Sequence, residues 1–499
     1  MATRGGWSWV LVAGGSLVGA LGCGGQSQTM EGGSPATPSA AAGGQEPTSG
    51  AVPRPRGGSR LKARVAEAEG GAFQFLGWHD TELDVDCAFQ QLPSGELLCL
   101  PSGEDRAWTS SEADSSLYGD ARCSGSVREL SVISQCAHPG FAQVQSAASF
   151  EDPCQSELSY VKVRGKVDSF YRRVGDACEL VAPPEPSGQL SGGFFEVEPF
   201  ALDGFASGTL REGVESEGIL PVYLSTADGA EAFWSFRDAE EGFDCELGTM
   251  ADGLRCVPSN MPLVTGSEFA DDTCTSPAAL ALSCSQADSV PYVLDGSPQS
   301  DPDTALRVLE GGARLGTSYT GTSAPGACIG SQSPYGVFVA GDEVQSSRFV
   351  AGALDETADA QGLIAPLAHA GGWSVAGSRP VRSQDFMGYD CTLLPTSDGV
   401  VRCVPSPTFS QVEFADPACS EALIEGGWEA TTAVSFADQC PPQVNVFARG
   451  EQYAGPVYRK DGAECVLDHE QPLVSRTIYH RLEGELSPDN LAAMPITLY

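Results

Sequence analysis

Short apolar runs separated by turn residues dominate the chain after its first sixty residues. Runs such as 220–224, 335–339 and 444–447 are rich in β-branched and aromatic residues, and each ends near Gly, Pro, Ser or Asp. This alternation is typical of β-strands joined by turns. The pattern therefore predicts an all-β protein.

Two kinds of turn signal refine this prediction. The pairs Asp252-Gly253 and Asp398-Gly399 favour tight hairpins, because Asp and Gly tolerate a positive φ. A helix start with Pro at its first position occurs at Ser487-Pro488-Asp489. We expect that helix to be only a turn or two long.

Three cysteine-bearing motifs recur in the same order three times. The first is an Asp-Cys pair followed by a second Cys about a dozen residues later: Asp86, Cys87 and Cys99; Asp244, Cys245 and Cys256; Asp390, Cys391 and Cys403. The second is an aromatic residue before Asp-x-x-Cys: Tyr118, Asp120 and Cys123; Phe269, Asp271 and Cys274; Phe414, Asp416 and Cys419. The third is a Tyr followed by a Cys: Tyr171 and Cys178; Tyr319 and Cys328; Tyr458 and Cys465. Chance does not produce such an order, so the chain is internally triplicated.

The three copies span residues 60–210, 211–360 and 361–499. Each copy of about 150 residues contains two strand-rich halves, which predicts six four-stranded blades in a β-propeller-like ring. The last residues, 495–499, echo 221–224 at the start of the second copy, so we expect a C-terminal strand that closes the ring on the first blade. The alternative is three tandem β-sandwich domains.

Composition and charge exclude some partners. Gly 59 and Pro 34 agree with many turns and few helices. The net charge of −38 repels nucleic acid and anionic lipid, so we expect neither as a ligand.

The N-terminus has the features of an export signal. Residues 1–22 hold a single charge, Arg4, followed by an apolar run too short for a comfortable membrane span. The run ends Ala20-Leu21-Gly22-Cys23, which resembles the lipobox of bacterial lipoproteins, although Ala20 stands where that family most often has Leu. The resemblance implies cleavage before Cys23, lipidation of its sulfur and membrane attachment through the lipid alone. The Arg-over-Lys bias and the Cys-rich repeats are similar in composition to lipoproteins of myxobacterial type.

Residues 23–59 comprise the lipidated Cys and a stretch of Gly, Ser, Pro and Ala with almost no large apolar residues. Such composition predicts disorder. A flexible tether of this length reaches roughly 30–35 Å, and we expect it to connect the lipid to a folded body at the outer membrane or cell surface.

The remaining sixteen of the 17 Cys can pair in an oxidising compartment. Because hairpins bring their flanking residues close together, we predict three disulfides: Cys87–Cys99, Cys245–Cys256 and Cys391–Cys403. We further expect Cys123–Cys136, Cys274–Cys284, Cys419–Cys440 and Cys154–Cys178, which leaves Cys328 and Cys465 without assigned partners. The Cys spacing lacks the C-x-x-C clusters of zinc sites, so we predict no metal ligated by Cys.

Catalytic motifs are missing from the sequence. His is scarce (His79, His138, His369, His469 and His480), and none recurs in all three copies. His79-Asp80 is the only adjacent His–Asp pair, and we expect it to lie at a strand end. The sequence contains no G-x-S-x-G, P-loop or H-E-x-x-H motif. We therefore predict no catalytic residue and no cofactor.

Recurring aspartates are the other candidate chemistry. They form three aligned sets: Asp80, Asp238 and Asp385; Asp86, Asp244 and Asp390; Asp120, Asp271 and Asp416. We expect them to accept backbone N–H bonds in turns. Calcium binding is the alternative, with Asp84-Val85-Asp86 and Asp301-Pro302-Asp303 as the densest clusters. Two acids at the spacing of a glycosidase form a further alternative.

These observations favour a non-enzymatic, lipid-anchored, disulfide-braced repeat platform that binds a protein or glycan ligand. A secreted glycan-directed hydrolase that uses carboxylates and a calcium-dependent adhesin are the competing functions.

Overall fold

The computed structural model describes residues 51–92, 94–110, 117–132, 139–145, 158–183, 191–281, 287–295, 305–321, 328–331, 336–384, 389–405, 407–409, 413–425, 431–436, 443–461, 464–469 and 478–499. Their regular structure is β-strand apart from short 3-10 helices, at Gly103–Asp105, Leu202–Gly204, Ser346–Arg348 and Pro488–Asn490. The all-β prediction is confirmed, and so is the short helix after Ser487.

Each copy begins with a meander of antiparallel strands. In the first copy these are β1 (Leu61–Glu67), β2 (Phe73–Asp80), β3 (Val85–Gln91) and β4 (Leu97–Pro101). A second set of strands follows: β5 (Arg106–Ser110), β6 (Leu117–Tyr118), β7 (Ser126–Val132), β8 (Phe141–Gln145), β9 (Ser159–Lys166), β10 (Phe170–Val174), β11 (Ala177–Val181) and β12 (Ser191–Phe200).

The second copy repeats this order. Its meander strands are β13 (Ser207–Glu212), β14 (Ile219–Thr226), β15 (Glu231–Asp238), β16 (Asp244–Met250) and β17 (Gly253–Pro258). The second set comprises β18 (Leu263–Phe269), β19 (Pro277–Leu280), β20 (Tyr292–Asp295), β21 (Arg307–Arg314), β22 (Ser318–Gly321), β23 (Cys328–Ser331) and β24 (Val337–Glu343). The predicted copy boundary at residue 210 falls inside β13.

The third copy has a meander of shorter pieces. These are β25 (Gly352–Asp355), β26 (Leu363–Ile364), β27 (Leu367–Ala370), β28 (Trp373–Val375), β29 (Arg382–Ser383), β30 (Tyr389–Pro395) and β31 (Val401–Pro405). The remaining strands are β32 (Pro407–Phe409), β33 (Glu413–Phe414), β34 (Ala422–Glu425), β35 (Thr432–Phe436), β36 (Val444–Tyr453), β37 (Val457–Asp461), β38 (Glu464–His469), β39 (Tyr479–Glu485) and the C-terminal β40 (Ile496–Leu498).

The three meanders join edge to edge in a closed cycle, here called the meander ring. β4 of the first copy pairs with β13, which also pairs with β14 of the second copy. Three equivalent backbone hydrogen bonds mark the junctions between copies: Cys99 N–H to Ala206 O, Cys256 N–H to Val350 O and Cys403 N–H to Ala492 O. β40 then pairs with β1 and closes the cycle.

This closure confirms the expectation that the C-terminal strand joins the first copy. The suggested equivalence of 495–499 with 221–224 is wrong, because β40 occupies the place of β13 and β25 rather than that of β14. Continuous pairing from copy to copy also excludes three separate sandwich domains on a string.

The second half of each copy forms a small barrel. In the first copy the five strands β5, β8, β9, β12 and β7 pair in that order, and β7 returns to β5. Five strands cannot alternate in direction around a closed circuit, so one neighbouring pair must be parallel. That pair is β5–β8 in the first copy, β18–β20 in the second and β32–β35 in the third.

The prediction of six four-stranded blades is therefore wrong for these halves. The circuit in the second copy runs through β18, β19, β24, β21 and β20, and the third copy has the matching strand order. Ala107, Ala142 and Val161 pack with the larger Leu130 and Phe195 inside the first barrel. A sheet of five short strands can close around such an interior, which an open blade would leave exposed.

Three apolar cores lie at the junctions of the meander ring. One core combines Trp78 and Phe89 of the first copy with Leu224 of the second. Another combines Phe236 with Trp373 of the third copy, and the last combines residues of the third copy with those of the first. Because every copy shares its core with both neighbours, the meander ring is a single folding body.

An N-terminal strap, residues 51–60, crosses this ring. The predicted disorder through residue 59 is wrong for residues 51–59. Val52 N–H donates to Ser374 O of the third copy at 2.7 Å, and its side chain is buried against Ile219 and Trp373. Arg56 exchanges two backbone hydrogen bonds with Glu231 of the second copy, both at 2.8 Å.

The strap also contacts the first copy. Arg54 forms an ion pair with Glu67 at 2.8 Å and its guanidinium lies 4.1 Å from the ring centroid of Phe73. The composition of this segment hides its structure, because the strap is attached by backbone hydrogen bonds, the buried Val52 and an ion pair between Arg60 and Asp80. The structure leaves residues 23–50 of the predicted tether outside the described part.

Candidate functional site

Each barrel carries an Asp-x-x-Cys turn at the same place. Asp120 accepts the backbone N–H groups of Arg122, Ser124 and Gly125. Asp271 and Asp416 accept the equivalent N–H groups, two, four and five residues ahead. The turn-capping interpretation is confirmed for this set.

Hydrogen bonding explains why these carboxylates stay ionised. The Ser124 hydroxyl and the Gly125 N–H lower the pKa of Asp120 to about 2. The Thr273 hydroxyl lowers the pKa of Asp271, and the Glu421 N–H lowers that of Asp416. The Cys in each turn, Cys123, Cys274 or Cys419, has a φ of 52°, a conformation that L-residues adopt when the surrounding contacts fix it.

Those cysteines pair with the third motif. The described residues hold six disulfides: Cys87–Cys99, Cys245–Cys256, Cys391–Cys403, Cys123–Cys178, Cys274–Cys328 and Cys419–Cys465. The three predicted hairpin disulfides are confirmed. The predicted pairs Cys123–Cys136, Cys274–Cys284, Cys419–Cys440 and Cys154–Cys178 are wrong.

The error has a physical origin. Pairing each Cys with its nearest neighbour in sequence minimises the entropic cost of closing a loop. The strands beside the Asp-x-x-Cys turns, however, pair with distant strands: β6 with β10, β18 with β22 and β33 with β37. This pairing brings Cys123 to Cys178 across 55 residues. Cys328 and Cys465, which had no assigned partner, complete the same arrangement. Cys136, Cys154, Cys284 and Cys440 lie outside the described residues.

The disulfides anchor three hairpins, here called the arms: β10–β11, β22–β23 and β37–β38. In arm 1 the register places Tyr171 opposite Leu180 and Arg173 opposite Cys178. In arm 3 Tyr458 faces Leu467 in the same way. The arms therefore extend from the barrels at equivalent places.

The arms expose large apolar side chains. Leu180 is 69% exposed, Ile329 61% and Leu467 49%. Leu180 and Leu467 follow the disulfide Cys by two residues, and Ile329 follows it by one. Val174 on arm 1 is exposed as well, so four of the eight large hydrophobic residues that are exposed in the described part lie on the arms. Leu180 and Leu467 lie at equivalent places, whereas Gly330 stands at that place in arm 2 and Ile329 is one residue before it. Scattered single residues need no explanation, whereas residues that recur at an equivalent place indicate a contact surface.

Cations brace the inner strand of two arms. Arg173 donates to Cys123 O at 3.1 Å, and its guanidinium lies 5.6 Å from the ring centroid of Tyr118. Lys460 lies 5.3 Å from the ring centroid of Phe414. The second copy has Gly321 at this place, so its arm lacks that cation.

The aspartates beside the hairpin Cys do not cap turns, which corrects that expectation. Each pairs across strands with a basic residue: Asp86 with His79, Asp244 with Arg237 and Asp390 with Arg382, at 3.0, 2.6 and 2.8 Å. Asp86 also pairs with Arg64 at 2.8 Å. These pairs link β2, β15 and β29 to the next strand of each meander.

The third aspartate set is only partly repeated. Asp80 accepts the N–H groups of Glu82 and Leu83, and Asp238 accepts two in the same way. Asp80 is buried and held by Arg60 at 2.7 Å. Asp385 lies outside the described residues, and the register places Ser383 at the equivalent position.

No sequence-predicted calcium cluster is assembled in the described part. Asp84 and Asp86 both face His79, at 3.5 and 3.0 Å, and Asp301 and Asp303 lie outside it. Among the described residues, no group of three or more His, Cys, Asp and Glu is placed to hold a metal ion. His79-Asp80 lies at the end of β2, as expected, and Asp80 contacts Arg60 rather than the imidazole.

The other described histidines have separate contacts. His369 pairs with Asp355 at 2.9 Å, and His480 is buried beside Gly450 O. Burial lowers the pKa of His480, so its neutral form is favoured. His469 ends β38 and His138 lies outside the described residues.

A shallow cavity of about 300 Å³ opens on the first barrel. Arg164, Lys166, Ser169 and Glu196 line it, and Arg164 is bonded to Glu198. Both positive and negative side chains line the cavity, so it has no preference for a ligand of one charge.

No helix within the described ranges is long and apolar enough to cross a bilayer.

Sequence reasoning found the cysteines of the arms but missed their exposed Leu and Ile residues. A single aliphatic residue one or two places after a Cys, in an otherwise polar hairpin, is the signal that could have found them.

Part of the chain is similar to a family that has no assigned role. Residues 51–297 match the model of a family of unknown function (DUF7481). This match covers the strap, the first copy, the second meander and the strands β18–β20 of the second barrel. No curated protein matches the chain, and no solved structure does.

Proposed function

We propose that this protein is an exported, lipid-anchored and non-enzymatic platform whose three arms bind a ligand outside the cytoplasm. The observation that carries the proposal is the recurrence of exposed aliphatic residues on three disulfide-anchored hairpins. A rigid scaffold that presents equivalent hairpins is a typical binding architecture.

The disulfides support the compartment. Six disulfides in the described part fit an oxidising space such as the periplasm or the cell surface. The lipobox at Cys23 supports attachment to the outer membrane by a lipid, and the strap would transmit that attachment to all three copies.

The first experiment tests lipidation and export. Cells that express the full chain are labelled with a palmitate analogue, and the variant Cys23→Ala is compared with the native sequence. We expect label and membrane recovery only with Cys23 present, together with protection of all other cysteines from alkylation before reduction. A cytoplasmic, unlabelled and fully reduced protein would contradict the proposal.

The second experiment separates binding from enzymatic turnover. A panel of glycan and ester substrates is assayed with the native chain and with Asp86→Asn, Asp244→Asn and Asp390→Asn. We expect no turnover in any of them, because these carboxylates are engaged in cross-strand ion pairs. Turnover by the native chain that Asn substitution removes while the fold persists would instead indicate a hydrolase.

A further inference from the structure

Among the described residues, the outer strand of each arm is the last strand of its sheet. β11, β23 and β38 each end the strand order of the sheet that contains them. A terminal strand presents backbone N–H and C=O groups along its free side, and these groups can pair with another extended chain. The exposed aliphatic residues Leu180, Ile329 and Leu467 lie on these same strands.

Charge is divided between the two strands of arms 1 and 3, whereas neither strand of arm 2 holds a charged residue. The inner strands carry the cations, which are Arg172 and Arg173 on β10 and Arg459 and Lys460 on β37, where Asp461 ends the strand. The outer strands carry acids, with Glu179 on β11 and Glu464 and Asp468 on β38. Asp468 is paired with Arg459 inside its arm, at 3.1 Å. A strand added at the outer side would therefore lie beside aliphatic and acidic residues.

Side chains on a strand alternate between its two faces. On β11 Glu179 and Leu180 are neighbours, so they point to opposite faces, and Leu467 and Asp468 on β38 do the same. A complementary strand would present aliphatic side chains on one face and basic ones on the other. Opposite charges on facing strands stabilise such a pair.

We infer that arms 1 and 3 each bind an extended segment of a partner protein, in which aliphatic and basic residues alternate, by adding it as a further strand to β11 or β38. This inference rests on the proposed function and names the class of ligand. The backbone of the arm supplies the hydrogen bonds, and the Leu side chain supplies the apolar contact.

Net charge argues against a second copy of the chain as the occupant. At −38, two copies repel each other. The same field attracts a basic segment from a distance and raises its association rate.

The test uses the full mature chain, purified with its disulfides intact, and a fluorescent peptide of alternating Lys and Val. Binding is followed by anisotropy at physiological ionic strength. The arm variant combines Leu180→Lys and Leu467→Lys. Its matched control, with the same added charge at exposed apolar positions outside the arms, combines Val214→Lys and Leu498→Lys.

We expect the native chain and the control to bind alike within about twofold, and the arm variant to lose at least about tenfold in affinity. A peptide of the same composition with Lys and Val in separate blocks, and one of alternating Glu and Val, should bind at least about tenfold more weakly. Equal binding of either peptide overturns the inference, because charge alone or apolar content alone would then suffice.

Two other results overturn it as well. An arm variant that binds like the control shows that the arms are not the site. Sedimentation that reveals dimers of the native chain, lost in the arm variant, assigns the edges to a second copy. Neither result bears on lipidation, export or the absence of turnover, so failure here is distinguishable from failure of those parts of the proposed function.

Discussion

The two halves of each copy use the same chemical device, a disulfide, for different ends. In the meander ring the disulfides close short segments of 12, 11 and 12 residues between strands that already pair. In the barrels they close 55, 54 and 46 residues and hold the arms to the Asp-x-x-Cys turns. The meander disulfides reinforce existing contacts, whereas the barrel disulfides create contacts between segments that are distant in sequence.

The two halves of each copy also differ in how their strands connect to the other copies. The meanders merge into one ring with shared cores, and a cut in one copy would expose the cores of its neighbours. Each barrel closes on its own strands. Arms that are mounted on separate barrels can vary among copies without disturbing the ring, as Gly321 illustrates at the place of the arm cation.

The largest expected effect is the loss of a barrel disulfide. By loop entropy, removing Cys123–Cys178 with a pair of Ala substitutions should lower the free energy of unfolding by about 4 kcal/mol, and removing Cys87–Cys99 by about 3 kcal/mol. Urea titrations followed by tryptophan fluorescence measure both, since Trp108 lies in the first barrel and Trp78 in the meander. An equal or larger loss for Cys87–Cys99 would contradict this division of roles.

The strap provides the next largest effect, and it should act on the ring alone. Val52→Asp places a charge in the core that contains Ile219 and Trp373, and we expect a loss of about 2–4 kcal/mol. Arg56→Ala is the control, because its backbone bonds remain and its side chain is exposed. Hydrogen exchange should show reduced protection of backbone amides in β14 and β28 but not in the first barrel. Equal loss of protection in all of these strands would contradict the view that the strap stabilises only the ring.

The parts of this fold that follow from local chemistry were predictable from the sequence. Alternating apolar runs form strands. Asp252-Gly253 forms a hairpin turn in which Gly253 has a φ of 124°. The cysteines that flank this hairpin, Cys245 and Cys256, form a disulfide across it. The role of Asp120 as a turn cap also follows, because all of its partners lie within five residues.

Features that depend on distant partners were not predictable in this way. Nothing near Cys123 identifies Cys178, since their meeting depends on the pairing of β6 with β10. Asp86 and Asp120 both precede a Cys in a recurring motif, yet Asp86 forms ion pairs with His79 and Arg64 on other strands. The strap is hidden for the same reason, because its backbone bonds to Glu231 and Ser374 leave no mark on its own composition.

The smallest expected effect is on the pKa of two ionised aspartates, one in a meander and the other in a barrel. Asp398 in the third meander and Asp120 in the first barrel both have a pKa of about 2. Asp398 owes this first to Arg402, at 2.7 Å, and Asp120 owes it to the Ser124 hydroxyl and backbone N–H groups. A lowered pKa in the folded state stabilises the fold above the unfolded value near pH 4. That contribution is lost as the pH falls from about 4 to about 2.

Salt separates the two causes. It screens the attraction between Asp398 and Arg402 but not hydrogen bonds from neutral donors. An NMR titration in high salt should therefore raise the pKa of Asp398 towards its usual range and leave that of Asp120 in place. Asp398→Asn and Asp120→Asn should each flatten the acid limb of the stability curve. If the pKa of Asp120 rose as much as that of Asp398, the barrel turn would depend on long-range charge, and the contrast drawn between the two halves would not hold.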